Sequence, residues 1–281
     1  MKGCGAMIQL RDGFVGLAQQ PHRPLARGAL RALWLSVGAV LLCQCGAPDG
    51  GVHQEVIAHG QFAHLRIYRS DASVRHLALL LSGDGGWDSG SQAIAQKLAL
   101  QGTLVVGIDA REWLATLEQA APSCVAPGAY LAELVHYLQA QYAIETRPPV
   151  LIGHSAGATL AYVALVQARP HTFAGVLTLS FCADLDLSKP LCPAPALRVA
   201  PRAAGVRLLP GGALPDPWVT LHGLDDRVCP AAEARRFADA TPGTRFIAVP
   251  DNGHSYGSSG DWWGAFIDSY HRLTAASPPT P

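Results

Sequence analysis

Charge is scarce in this chain. Only 15% of its 281 residues are Asp, Glu, Lys or Arg, against 49% hydrophobic, and 21 basic residues balance 21 acidic ones. A composition this apolar excludes an intrinsically disordered chain, which has too little apolar surface to bury. There is no basic patch, which excludes nucleic acid as a partner, because binding a phosphate backbone rests on clustered Lys and Arg. No cysteine pair has the spacing of a zinc site. The glycine-rich stretch at 83–86 is not followed by Gly-Lys-Ser or Gly-Lys-Thr, so it is not a phosphate-cradling loop. No metal and no cofactor is expected. There is no internal repeat, and the length allows one or two domains, with a single α/β domain fitting comfortably.

The little charge there is falls unevenly. Residues 1–47 hold five basic residues (Lys2, Arg11, Arg23, Arg27, Arg31) and one acidic (Asp12), leaving 16 basic and 20 acidic residues after them. Arg23, Arg27 and Arg31 precede an uncharged stretch, Ala32 to Pro48, with its apolar centre at Leu33–Cys43 and a small-residue exit at Cys45-Gly46-Ala47. Basic flank, short apolar run and small-residue exit read as a secretory signal over 1–47, with a start at or after Met7 as a variant. The run is shorter than the ~20 residues of a spanning helix. A signal anchor, or lipid attachment at Cys43 or Cys45, is the alternative. The expected destination is the periplasm. Beyond the signal, Cys124, Cys182, Cys192 and Cys229 remain. An even count in an oxidising compartment predicts up to two disulfides, with three pairings open.

The body alternates strand and helix signals. Residues 48–74 read as a lead and an edge strand, Gln61 to Arg69, whose apolar residues Phe62, Leu65 and Ile67 alternate with polar ones. The runs His76–Leu81, Thr103–Ile108, Pro149–Ile152, Phe173–Leu179, Trp218–Leu221 and Thr244–Val249 are apolar without alternation, as strands covered on both faces are. Helical spacing marks Gln92–Gln101, Gly128–Tyr142, 156–168, Ala231–Ala240 and Trp262–Leu273. This predicts an α/β fold over 75–274, a mostly parallel sheet with helices on both faces. Asp184 to Pro217, with seven prolines, reads as an irregular lid-like segment, and 275–281 as a disordered tail.

One stretch carries the chemistry. Val150-Leu151-Ile152-Gly153-His154-Ser155-Ala156-Gly157 is a buried strand, a Gly-x-Ser-x-Gly turn and the start of a helix, the context of a nucleophile elbow. A serine hydroxyl needs a neighbouring base to become a nucleophile. Asp226, in His222-Gly223-Leu224-Asp225-Asp226, and His254, in Gly253-His254-Ser255, each follow a predicted strand. The order Ser155, Asp226, His254 is that of the α/β-hydrolase triad. Asp226 is preferred to Asp225 by its spacing from His222-Gly223. An oxyanion hole needs two backbone N–H groups. Ala156 supplies one, and the loop Ser82-Gly83-Asp84-Gly85-Gly86-Trp87 the other, with Asp84 as the donor. The Asp84 carboxylate would repel an oxyanion unless it meets a cation on the substrate, such as an amino group near the ester.

Leu81-Ser82-Gly83-Asp84-Gly85-Gly86-Trp87, Val105-Val106-Gly107-Ile108-Asp109, the Ser155 elbow, Cys229 and Gly253-His254 together resemble the VirJ/AcvB family of bacterial virulence-associated proteins over roughly residues 75–272. That resemblance implies an exported α/β-hydrolase. It implies hydrolysis of an aminoacyl ester, lysyl-phosphatidylglycerol, with a membrane lipid headgroup as partner, or a tie to type IV secretion and a secretion-system partner. It also implies Asp84, Ser155, Asp226 and His254 as site residues. Trp87, Asp109 and His154, in or beside these motifs, are expected to help bind substrate. The elbow departs from the family in having His154 rather than an aromatic before the serine, and the aspartate loop is closer to that of generic esterases. A carboxylesterase of other specificity and a noncatalytic secretion accessory on the same scaffold are the competing expectations.

Overall fold

Strands form where the apolar runs leave no polar face, and helices where buried positions recur every three or four residues. The structure is a computed structural model and describes residues 51–144, 147–256 and 261–275. The expected secretory signal at 1–47 lies outside the described residues.

Strands β1 (Val52–His59) and β2 (Phe62–Ser70) form a hairpin that turns at Gly60, whose φ of +55° suits a residue without a Cβ. Next come β3 (His76–Leu81), α1 (Ser89–Ala99), β4 (Thr103–Ile108), α2 (Ala110–Gln119) and α3 (Pro127–Gln141). After them run β5 (Val150–His154), α4 (Ala156–Gln167), β6 (Gly175–Leu179), β7 (Asp184–Leu185), β8 (Arg198–Pro201) and β9 (Val206–Leu209). The chain closes through β10 (Trp218–Gly223), α5 (Ala231–Asp239), β11 (Thr244–Val249) and α6 (Trp262–Ala275).

Eight strands make one sheet in the order β1-β2-β4-β3-β5-β6-β10-β11. The pairs β1–β2 and β2–β4 are antiparallel, and every pair from β4 to β11 is parallel. Period-two alternation splits each apolar run between two cores. Leu77, Leu79 and Leu81 of β3 face the core built with α2, α3, α4 and α5, while Ala78 and Leu80 face the one built with α1 and α6. Burial on both faces is why these runs show no polar alternation.

The structure corrects the sequence reading at four places. β2 is not the edge strand, because β1 pairs outside it; five of the eight β1 residues are exposed, so its apolar signal is thin. Residues 110–119, not among the expected helices, form α2. Asp109 caps α2 by accepting the Glu112 N–H, and Ala110, Trp113 and Leu117 bury one face of it. Residues 184–217 are not free of regular structure. They carry a small antiparallel sheet, β7-β9-β8, that inserts Leu185 and Leu208 into the core, with Leu187 following β7. Finally, Ala275 ends α6 rather than opening a tail, and residues 276–281 lie outside the described residues.

Both disulfides form, as Cys124–Cys192 and Cys182–Cys229, with Cα atoms 4.9 and 5.3 Å apart. The first ties the approach to α3 to the proline-rich segment, beside a bridge between Val125 and Leu191 and a hydrogen bond from Gln167 Nε2 to the Cys192 carbonyl at 2.9 Å. No helix among the described residues is long and apolar enough to cross a membrane.

Candidate active site

The parallel strands end together, and the candidate residues sit on the loops that leave those ends. β5 passes into α4 through Ser155, which adopts φ 53° and ψ −123°, a conformation a non-glycine residue holds only when its surroundings enforce it. Its N–H donates to the Leu179 carbonyl at 3.0 Å, and its own carbonyl accepts the first helical N–H groups. A Cβ at Gly153 would collide with the Gly157 carbonyl, and one at Gly157 with the Ser82 carbonyl. Both positions must be bare for strand, helix and neighbouring loop to close around the serine.

Three loops meet there. His254 Nε2 lies 2.9 Å from Ser155 Oγ, and its Nδ1 lies 2.9 and 3.1 Å from the two carboxylate oxygens of Asp226. Asp226 is fully buried at its side chain, and Oδ1 accepts the Val228 and Cys229 N–H groups, both at 2.9 Å. Burial by itself would raise its carboxyl. The nearby Ser180 hydroxyl, the Cys229 N–H and His254 outweigh that and hold it below the usual carboxylate range. Ser180 Oγ has no other hydrogen-bond partner among the described residues and is free to turn toward the carboxylate. Asp225, by contrast, is exposed, with its N–H on the Asn252 carbonyl. The chain thus turns Asp226 inward and leaves Asp225 outward.

Asp84 and Ala156 line the same cleft as Ser155, a cavity of about 680 Å3 between the small sheet and α5. Ala156 is the first residue of α4, where backbone N–H groups have no helical acceptor and the helix dipole favours negative charge. Asp84 is exposed at the tip of a tight turn closed by the Gly86 N–H on the Gly83 carbonyl at 3.1 Å.

The structure places the other three expected residues beside the cleft rather than among its lining. Asp109 does not line the cleft. Its carboxylate accepts the Trp87 N–H at 2.9 Å and the Glu112 N–H at 3.1 Å, so it ties the Asp84 loop to α2. Trp87 does not line it either. Its indole lies over Gly107, where any Cβ would collide with the ring, and donates to Tyr68 Oη at 3.2 Å. His154 is turned under the histidine loop, with Nε2 2.8 Å from the His254 carbonyl. Burial lowers its pKa, so it is a neutral donor there.

Sequence reasoning missed other residues at the site. Arg202 and Arg207, on and beside the small sheet, line the cleft and share Asp184, and Arg207 also reaches Glu233 on α5 at 2.7 Å. Nothing in a proline-rich segment marks them. The disulfide Cys182–Cys229 lines the cleft as well. Asp226, Cys229 and His254 hold ligand-type atoms within 4.8 Å of one another, but Cys229 Sγ is bonded to Cys182 and offers no thiolate to a metal.

Residues 75–186 match the family model described as bacterial virulence protein (VirJ). The match covers less than half of the chain and marks a similarity to that family over this segment. The VirJ segment takes in the Asp84 loop and the Ser155 elbow and stops before Asp226 and His254. No curated protein matches the chain. Among solved structures, MGS-M1, an alpha/beta hydrolase enzyme from a Medee basin deep-sea metagenome library, aligns with a TM-score of 0.52 at 16% identity, covering 81% of this chain and 98% of that one. Est1E from Butyrivibrio proteoclasticus gives 0.51 at 15% identity, covering 79% and 99%. TT1662 from Thermus thermophilus gives 0.53 at 17% identity, covering 79% and 98%. The chain thus has the α/β-hydrolase fold.

Proposed function

We propose that this protein is an exported serine hydrolase that cleaves an ester through an acyl-enzyme. The observation that carries the reading is the continuous set of contacts from Ser155 Oγ through His254 to the buried Asp226 carboxylate. His254 Nε2 takes the hydroxyl proton as Oγ attacks the carbonyl carbon. The Ala156 N–H, with the Asp84 N–H as second donor, faces the oxyanion of the tetrahedral intermediate. The intermediate collapses, the alcohol leaves with the proton from His254, and a water activated by the same imidazole releases the acid.

Aminoacyl-phosphatidylglycerol, in its lysyl form, is the substrate we favour. An aminoacyl ester carries an ammonium beside the scissile carbonyl, and Asp84 lines the cleft next to Ser155. Arg202, Arg207 and Arg236 line the same cleft, which suits a substrate carrying both charges. A carboxylesterase of other specificity is the second reading, favoured by the apolar wall of Phe181, Leu208, Leu209 and Phe237. Export to the periplasm is supported by two disulfides, which persist in oxidising compartments. The test is direct. The protein is incubated with lysyl-phosphatidylglycerol vesicles and, separately, with short p-nitrophenyl esters. Release of lysine at the higher kcat/KM supports the lipid reading, and preference for the simple ester replaces it with the second.

A further inference from the structure

One histidine that the mechanism does not use lies against the triad acid. His222, the fifth residue of β10, is fully buried, and its Nε2 sits 2.7 Å from the Cys229 carbonyl oxygen and 3.4 Å from Asp226 Oδ2. Both neighbours are acceptors only, so Nε2 must carry the proton. The other ring nitrogen, Nδ1, is buried without a hydrogen-bond partner among the described residues. A second proton there would be an unsatisfied buried donor, which holds the ring neutral. Burial acts in the same direction. The ring lies nearly parallel to Phe246 of β11, at 17° and 6.0 Å, and Arg235 of α5 covers Phe246 at 4.4 Å.

Cys229 is the hub of this arrangement. Its N–H donates to Asp226, its carbonyl accepts from His222, and its sulfur is bonded to Cys182, whose carbonyl accepts the Thr159 hydroxyl of α4 at 2.7 Å. We infer that His222 is a positioning residue for the reaction. As a neutral donor, it fixes the Cys229 turn and presents an N–H 3.4 Å from Asp226 Oδ2, the oxygen that also meets His254, so that Asp226 keeps its orientation toward His254. The inference rests on the serine-hydrolase reading but assigns a role to a residue outside the triad. A histidine is suited to the place because only the end of its ring reaches both acceptors while its face packs on Phe246.

The test joins kinetics to a direct view of the ring, on the full chain with both disulfides formed. In His222→Phe, which keeps the ring and loses the donor, kcat toward a p-nitrophenyl ester should fall about 10-fold or more while KM stays within about twofold. His222→Gln, whose amide reaches to the same place, should recover most of that loss. NMR of the wild-type histidines should show His222 as the Nε2-protonated neutral tautomer throughout pH 5–8, although Asp226, His254 and, through Phe246, Arg235 all act on it. Unchanged activity in the phenylalanine variant, a glutamine variant no better than it, or titration of His222 in that range would each overturn the inference. Should the phenylalanine variant not fold, the glutamine variant and the NMR decide. If Ser155→Ala stays active, the hydrolase reading fails, and the tautomer and titration of His222 still report on its placement separately.

Discussion

At the scale of single residues, the site sorts its side chains by what they face. Ser155, His254 and Asp226 face one another, so Ser155→Ala should lower kcat by on the order of 10⁴-fold or more, measured by single-turnover release of p-nitrophenolate. Asp84 faces the open cleft. Asp84→Asn should therefore depress kcat/KM for lysyl esters by about 10-fold more than for neutral esters. An equal loss on both would rule out recognition of a cation. Asp109→Asn should act alike on all substrates, because its carboxylate holds the Trp87 loop and not the substrate. His154 and His222 are both buried with pKa values below the ordinary imidazole range. In such a pair the unfolded chain takes up protons first as pH falls. Stability is then full above the unfolded value of about 6.5 and is lost progressively below it. Thermal melts from pH 8 to 5 should show Tm falling over the lower half of that range, and the slope should lessen in His154→Gln.

At the scale of elements, the elbow and the acid loop are fixed by different means. The elbow depends on close backbone approach. Gly157→Ala sets a methyl against the Ser82 and Leu81 carbonyls and should cost about 1–3 kcal/mol by urea unfolding, together with most of the activity. The acid loop depends on cross-linking. Cys182–Cys229 ties the residue carrying the Asp226 hydrogen bond to the segment after β6, whereas Cys124–Cys192 ties the small sheet to the approach to α3. Cross-links closing loops of these lengths stabilise by about 4 kcal/mol in the chain-entropy view. Cys124→Ala/Cys192→Ala should lower Tm and leave kcat near wild type. Cys182→Ala/Cys229→Ala should lower both. Unequal effects on kcat, read beside comparable losses in Tm, are the expected outcome.

At the scale of the whole molecule, the sheet brings together residues up to a hundred positions apart, because each lies at the carboxyl end of a parallel strand. Both pairings place all four body cysteines in disulfides. Titration of the denatured protein, freed of residues 1–47, with a thiol reagent should therefore find no free cysteine, and reduction should expose four. The runs that form β3, β4, β5, β6, β10 and β11, the elbow turn and the loop that carries Asp226 were legible in the residues. They rest on apolar runs, on glycines flanking a serine and on loop spacing, all of which are local signals. The hairpin strand β1 was not legible, since a mostly exposed edge strand carries little apolar pattern. The helix α2 was readable in principle from Asp109 and the spacing of Ala110, Trp113 and Leu117. What the sequence alone determined is the fold class and the strand–turn–helix that holds Ser155, because periodicity and turn residues act over a few positions. Which cysteines pair, that Asp109, Trp87 and His154 support loops rather than line the cleft, and that His222 lies against Asp226 were decided only by the tertiary structure. Those outcomes depend on which side chains the packed sheet brings within 3 Å of one another, and sequence separation carries no record of that distance.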